Sequence, residues 1–263
     1  GSETVSTIDL AFDNVGSVEA QKGTKLEFLD GGVQRSHFTA DAGSVIEFDR
    51  SKLVLLNTIY ELTATNGLNG PGASLDGPGL YDIDDGAKLQ VDSGANITVQ
   101  NIRLEQNANP AAPVPLVSTL LLGGDLLVAQ SFEWRSGTIQ KDPKGQGGAL
   151  TVLVNGVLTV DDPNGMVGTF PRALDGVQLF DFGNILWQYA SLAPKIPLVA
   201  PGNLTMRNQA AIINDGSFGQ GVFALATGDS IIRDPNDPAP NNKPPVIQNI
   251  AQGGMLNFGS PSG

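Results

Sequence analysis

A six-residue pattern, Gly-x-x-[Leu/Ile]-x-[Phe/Val], recurs along the chain and limits what it can fold into more than any other feature. It reads Gly23-Thr24-Lys25-Leu26-Glu27-Phe28, then Gly43-Ser44-Val45-Ile46-Glu47-Phe48 and Gly86-Ala87-Lys88-Leu89-Gln90-Val91. It returns at Gly94-Ala95-Asn96-Ile97-Thr98-Val99, Gly147-Gly148-Ala149-Leu150-Thr151-Val152 and Gly253-Gly254-Met255-Leu256-Asn257-Phe258. Apolar and polar side chains alternate with period two behind a glycine, which is the signature of a short strand leaving a tight turn. Windows with apolar residues at helical spacing are nearly absent, and 33 glycines and 17 prolines interrupt those that begin.

The short spacings add a period. One full interval separates Gly23 from Gly43, and second strands follow at less than half of it, from Gly86 to Gly94 and from Gly147 to Gly156. Such a period predicts an all-β, single-stranded parallel β-helix with coils of roughly 20–22 residues. One coil cannot bury its inward residues, so coils stack, with Leu, Ile, Val and Phe inside and Lys25, Glu27, Glu47 and Lys88 outside. Glycine is expected where the chain turns sharply and a β-carbon would clash. The competing fold is an antiparallel β-sandwich or jelly roll, which also shows short strands and glycine turns.

Residues 1–263 read as one domain with excursions. Asn66–Gly79 is glycine-rich and reads as a flexible loop, 107–115 holds three prolines, and 234–245 cannot be a central strand. Residues 170–201 lack the period and carry Phe180, Phe182, Trp187 and Tyr189, so they read as an aromatic insertion.

The stretch Phe132-Glu133-Trp134-Arg135-Ser136-Gly137-Thr138-Ile139, followed by Gly147–Val152 and Gly156-Val157-Leu158-Thr159-Val160, resembles the degenerate repeats of bacterial surface proteins. In those proteins, autotransporter passengers and filamentous adhesins among them, the repeats build a right-handed β-helix. The resemblance implies an extracellular or cell-surface location, a structural or adhesive role, and partners such as glycans or a host or neighbouring cell surface. It carries no catalytic residue with it. Unpaired strands at the ends of a β-helix would also allow a homo-oligomer, with Gly1–Leu10 and Met255–Phe258 as the candidate edges.

Composition removes other classes. The chain has no cysteine and one histidine, so thiol chemistry is excluded and any histidine-dependent triad must use His37. A net charge of −12 and a pI near 4.3 argue against nucleic acid as a partner. No run approaches the ~18 apolar residues of a membrane helix, so membrane insertion is not expected. The opening Gly1-Ser2-Glu3-Thr4 lacks the basic and apolar stretch of a secretion leader, so any targeting signal is expected elsewhere in a longer protein.

The alternative function is carbohydrate binding or polysaccharide degradation on the same fold. The Gly-His-Gly and Arg-Ile-Lys signatures of polygalacturonase-like hydrolases are absent, and His37 sits in Arg35-Ser36-His37-Phe38 as an outward residue beside an inward phenylalanine. Carboxylates for glycoside hydrolysis would have to be Asp175 and Asp181. Trp187, Tyr189 and Trp134 are the candidates for stacking on sugar rings, the first two on one face of an extended segment. No cofactor is implied. A calcium ion is the one metal the sequence suggests, on Asp82, Asp84 and Asp85, with ordinary turn chemistry before Gly86 as the competing explanation.

Overall fold

The computed structural model describes residues 4–50, 58–65, 71–105, 117–144, 147–160 and 172–187. Beyond these it describes the backbones of six further strands. All the regular elements described are strands. The chain begins with β1 (Thr4–Ile8), β2 (Val18–Ala20), β3 (Thr24–Phe28), β4 (Gly32–Gln34), β5 (His37–Ala40) and β6 (Val45–Phe48). It continues through β7 (Ile59–Leu62), β8 (Ser74–Asp76), β9 (Leu80–Ile83), β10 (Lys88–Val91) and the long β11 (Asn96–Leu104). Then come β12 (Thr119–Leu122), the long β13 (Asp125–Trp134), β14 (Gly137–Lys141), β15 (Ala149–Val152) and β16 (Val157–Val160). The rest are β17 (Arg172–Asp175), β18 (Gln178–Asp181), β19 (Asn184–Trp187), β20 (Asn203–Arg207), β21 (Ala211–Asn214), β22 (Val222–Leu225), β23 (Ser230–Arg233), β24 (Val246–Asn249) and β25 (Met255–Phe258).

These strands form parallel sheets of 14, 8 and 3 strands. Every strand-to-strand pairing among them is parallel, which overturns the antiparallel alternative. The chain visits the faces in a fixed order. One face is β4-β7-β10-β12-β14-β17-β20-β23. The next starts as the separate ladder β2-β5-β8; β11 passes beside β8 without pairing to it, and from the first halves of β11 and β13 a second ladder runs on through β15, β18, β21 and β24. The last is β1-β3-β6-β9, continued by the second halves of β11 and β13 and then by β16, β19, β22 and β25. The second and third faces fuse where β11 and β13 run straight through the corner with a register shift after Val99. They separate again at a four-residue turn in which the Gly156 N–H donates to the Leu153 carbonyl.

The step between passes departs from the expected constant. Thr4 lies opposite Thr24, Lys25 opposite Val45 and Leu80 opposite Asn101, all close to the expected interval. Elsewhere the step lengthens, slightly from Leu126 to its partner Leu150 and to nearly double from Asn184 to Val222. The corner loops absorb the difference, because only the strands must superimpose for the ladders to form. For the same reason Gly86 does not continue the series of Gly23 and Gly43: they lead β3 and β6 on the third face, whereas Gly86 leads β10 on the first.

Inward residues stack in columns. Phe28, Phe48, Ile83, Leu104, Trp134 and Val160 form one, each opposite the next and each buried. Ile97, Leu126, Leu150, Leu179 and Ile212 form another, and Tyr60, Leu89, Leu120, Ile139 and Leu174 a third. Each such side chain contributes about 1.5–3 kcal/mol through burial. At the first passes the filling is aromatic, with Phe28 against Phe38 edge-on at 5.6 Å and Phe48 against Tyr60 at 4.9 Å. Tyr60 and Tyr81 carry hydroxyls into this core and donate them to corner carbonyls, Tyr60 to Phe28 (2.5 Å) and Tyr81 to Asp76 (2.6 Å).

Two excursions read from the sequence contain strands. Ser74–Asp76, within the stretch read as a flexible loop, is β8, with Leu75 fully in the core. Gly72 and Gly77 serve close approach rather than flexibility: a β-carbon on Gly72 would lie 2.0 Å from the Thr63 carbonyl oxygen and one on Gly77 2.3 Å from that of Ala40. Likewise β17, β18 and β19 continue the faces through the segment read as an aromatic insertion. Residues 66–70, 107–115, 188–201 and 234–245 lie outside the described residues.

Candidate functional site

The outward column of the third face runs Thr7, Glu27, Glu47, Asp82, Arg103, Glu133 and Thr159, each opposite the next. Like charges directly opposite one another destabilise a sheet, and this column answers with interleaved cations. The Lys25 ammonium lies 3.0 Å from Glu27 and 2.7 Å from Glu47. The Arg103 guanidinium reaches Asp82 at 3.1 Å and Glu133 at 2.9 Å, and Arg135 ties Glu133 (2.8 Å) to Glu105 (2.7 Å). Much of this ladder is out of solvent, with Glu47, Asp82 and Asp84 buried.

Three carboxylates suggested for calcium fall here. Asp82 is on β9 with its Oδ2 engaged by Arg103. Asp84 lies past the strand end, where its Oδ1 accepts from the Asp85 N–H at 2.6 Å and its carbonyl accepts from the Ala87 N–H at 2.9 Å. Asp85 takes a left-handed conformation (φ 45°) in the same turn. An ion pair engages Asp82 and the turn engages Asp84, and among the described residues no group of three or more His, Asp or Glu side chains is placed to hold a metal ion.

Burial sets the protonation of the ladder. Desolvation lifts Glu47 to about 7 against the pull of Lys25, and it lifts Asp85 to about 7 with help from Asp84. Asp82 is pushed well above the usual carboxylate range, first by burial and then by Glu105, with Arg103 opposing. Asp181, on the core side of β18, is raised to about 7 by burial, its Oδ1 accepting from the Gly183 N–H at 3.1 Å. The folded chain thus holds protons that the unfolded chain, with ordinary carboxyl values of 3.8 and 4.5, has already released. Raised carboxyl values confer stability that is present in acid and lost as pH rises from about 4.5 to 7. The melting midpoint should therefore be higher at pH 5 than at pH 7.5, by about 5 °C or more. Asp181→Asn should flatten that slope. A midpoint that falls on acidification over this window would contradict the assignment.

Of the residues suggested for carbohydrate chemistry, Trp134, Asp175 and Asp181 are buried. Trp134 is a correction: it is fully buried in the third face's inward column, with its indole N–H donating to the Gly137 carbonyl at 3.2 Å, so it offers no ring to a ligand. Asp181 is also completely buried, at the position Val152 takes one pass earlier, and Asp175 is buried at the end of β17. The Trp187 backbone pairs with Val160. Tyr189 lies outside the described residues.

A constellation the sequence did not suggest lies on the outer surface of the second face. His37 on β5 is exposed, as expected from its place beside the inward Phe38. Its Nδ1 lies 2.7 Å from Ser74 Oγ and 3.4 Å from Asp76 Oδ2, and Ser74 Oγ donates to Asp76 Oδ2 at 2.5 Å. Ser74 and Asp76 are distant from His37 along the chain and meet it only because β8 pairs with β5, His37 opposite Ser74. The sole sequence signal was the alternation Ser74-Leu75-Asp76, a short strand hidden among glycines and prolines. The trio is not a hydrolytic triad. That relay needs serine on one imidazole nitrogen and carboxylate on the other, whereas here both converge on Nδ1.

Comparisons with protein-family models, curated proteins and solved structures find no match for this chain.

Proposed function

We propose that the chain is a right-handed parallel β-helix serving as a non-enzymatic, structural or adhesive section of a larger bacterial surface protein, outside the cell. The observation that carries this reading is the repeated order of the three faces from β1 to β25, with strands in parallel register with counterparts one pass away. Such a chain grows by adding passes, and its length, not a pocket, is its product. The third face has ten strands along this path, which at about 4.8 Å per strand makes a stack about 43 Å long. Right-handed crossover between parallel strands is the rule for L-residues. The likeness of Phe132–Val160 to surface-protein repeats and the acidic, ion-laddered exterior support the location. Glycans or a neighbouring cell surface are the proposed partners.

Self-association belongs to the same proposal. Among the described residues β1 pairs only with β3, and its sequence Thr-Val-Ser-Thr-Ile carries neither charge nor proline, the features that guard a strand edge against pairing. Small-angle scattering should return an elongated particle, sedimentation should show concentration-dependent association, and a panel of acidic and neutral polysaccharides should survive incubation intact. Release of reducing ends from any of them would overturn the non-enzymatic reading.

A further inference from the structure

We propose that His37 and Asp76 form a surface site for a borderline divalent transition ion such as Zn²⁺ or Cu²⁺, with His37 Nδ1 and Asp76 Oδ2 as the protein ligands. The two atoms are 3.4 Å apart. Neighbouring ligands of a tetrahedral ion, at bond lengths of about 2.0–2.2 Å, are separated by about 3.3–3.6 Å, so the pair already spans one edge of the coordination polyhedron. One imidazole nitrogen with one carboxylate oxygen is a donor set that suits zinc and copper, and it is a poor set for calcium, which takes six to eight oxygens. Both side chains are about half exposed, 48% for His37 and 53% for Asp76, which leaves the remaining coordination positions to water.

The backbone holds the two ligands in place. Phe38 and Leu75, the inward neighbours of His37 and Ser74, lie opposite each other and are buried. The Tyr81 hydroxyl donates to the Asp76 carbonyl (2.6 Å) and lies 2.9 Å from that of Phe38, between the strands that bear the ligands. Asn14 Nδ2 donates to the His37 carbonyl at 3.3 Å. Ser74 Oγ, at 2.5 Å from Asp76 Oδ2, fixes the carboxylate rotamer. It lies too close to both ligand atoms to be a third ligand in its present position, so it acts as an orienting hydroxyl. To bind the ion the neutral imidazole takes the tautomer with its one ring proton on Nε2, so that Nδ1 gives up its hydrogen bond to Ser74 and offers its lone pair. A net charge of −12 favours capture of a cation.

The test uses the whole, untagged chain, in which His37 is the only imidazole. Calorimetric titration with ZnCl₂ and with CuCl₂ should show one ion bound per chain, and the copper EPR spectrum should show coupling to a single imidazole nitrogen. His37→Gln and Asp76→Asn should each weaken binding at least tenfold while leaving the melting midpoint within a degree or two, and CaCl₂ should not compete. If zinc and copper at millimolar concentration fail to bind the wild-type chain, the proposal is overturned. It is equally overturned if they bind His37→Gln as tightly as wild type; the trio is then a hydrogen-bonded surface cluster and the ion sits on carboxylates elsewhere. The copper spectrum of the wild-type chain decides the matter even if a variant is poorly folded.

Discussion

Gly148→Ala should cost about 4 kcal/mol or more of stability and lower the melting midpoint by roughly 10 °C. A β-carbon there would lie 1.6 Å from the carbonyl oxygen of Gly124 on the pass before, and one at Gly124 would lie 2.3 Å from the carbonyl oxygens of Asp92 and Ala95. Corner backbone rests directly on corner backbone at these places, and no side-chain rotation relieves the contact. Gly23→Ala makes the control. Gly23 leads the recurring template with φ +78°, yet nothing lies within 4 Å of its missing β-carbon. Only the left-handed conformation is penalised there, by roughly 1–2 kcal/mol, and Gly23→Asn should cost less still. The turn-leading glycines therefore split into two kinds. At Gly23 and Gly43 conformation is the reason, not the clash expected from the sequence; at Gly124 and Gly148 the close approach of neighbouring passes is. Equal losses for Gly148→Ala and Gly23→Ala in denaturant titrations would refute this division.

Arg103→Met should destabilise the chain by about 3 kcal/mol at neutral pH. The guanidinium touches Asp82, Glu105 and Glu133 from three successive passes, and Asp82 is almost wholly buried. Removing the cation strands an uncompensated carboxylate, which costs more than the ion pair contributed. Two further measurements separate this from loss of packing. The deficit should shrink toward pH 5, because burial and Glu105 already raise Asp82 and it takes up a proton once Arg103 is gone. The double variant Arg103→Met with Asp82→Asn should recover at least half of the loss. A deficit independent of pH and not rescued by the double variant would show that the arginine stem, not its charge, is what matters.

How much of this was legible in the sequence follows from the range over which each signal acts. The alternation in Leu26-Glu27-Phe28 and the turn glycines ahead of it are properties of neighbouring residues, so strands, turns and the inward or outward sense of Phe38 and His37 could be read directly. The candidate site residues fared worse. Trp134 and Asp181 occupy inward positions at the ends of alternating strands, where a fold with a narrow interior buries whatever side chain it is given. Aromatic and acidic residue types suggested a ligand surface, but position in the pleat overrode type. Ser74 and Asp76 were hidden because glycines that allow close packing look, in sequence, like glycines that allow flexibility.

By itself the sequence determined that the chain is all-β, that its strands are short and glycine-led, and that their apolar residues face one way, since each of these is settled within a single strand and the turn before it. Only the tertiary structure decided which strand lies on which, through steps as short as Thr4 to Thr24 and as long as Asn184 to Val222. That choice placed Arg103 among three carboxylates and His37 beside Asp76. The physical reason is that parallel pairing fixes register strand by strand while the corner loops are free in length. Contacts across passes are therefore set by the stacking of the buried columns and keep no constant period along the chain.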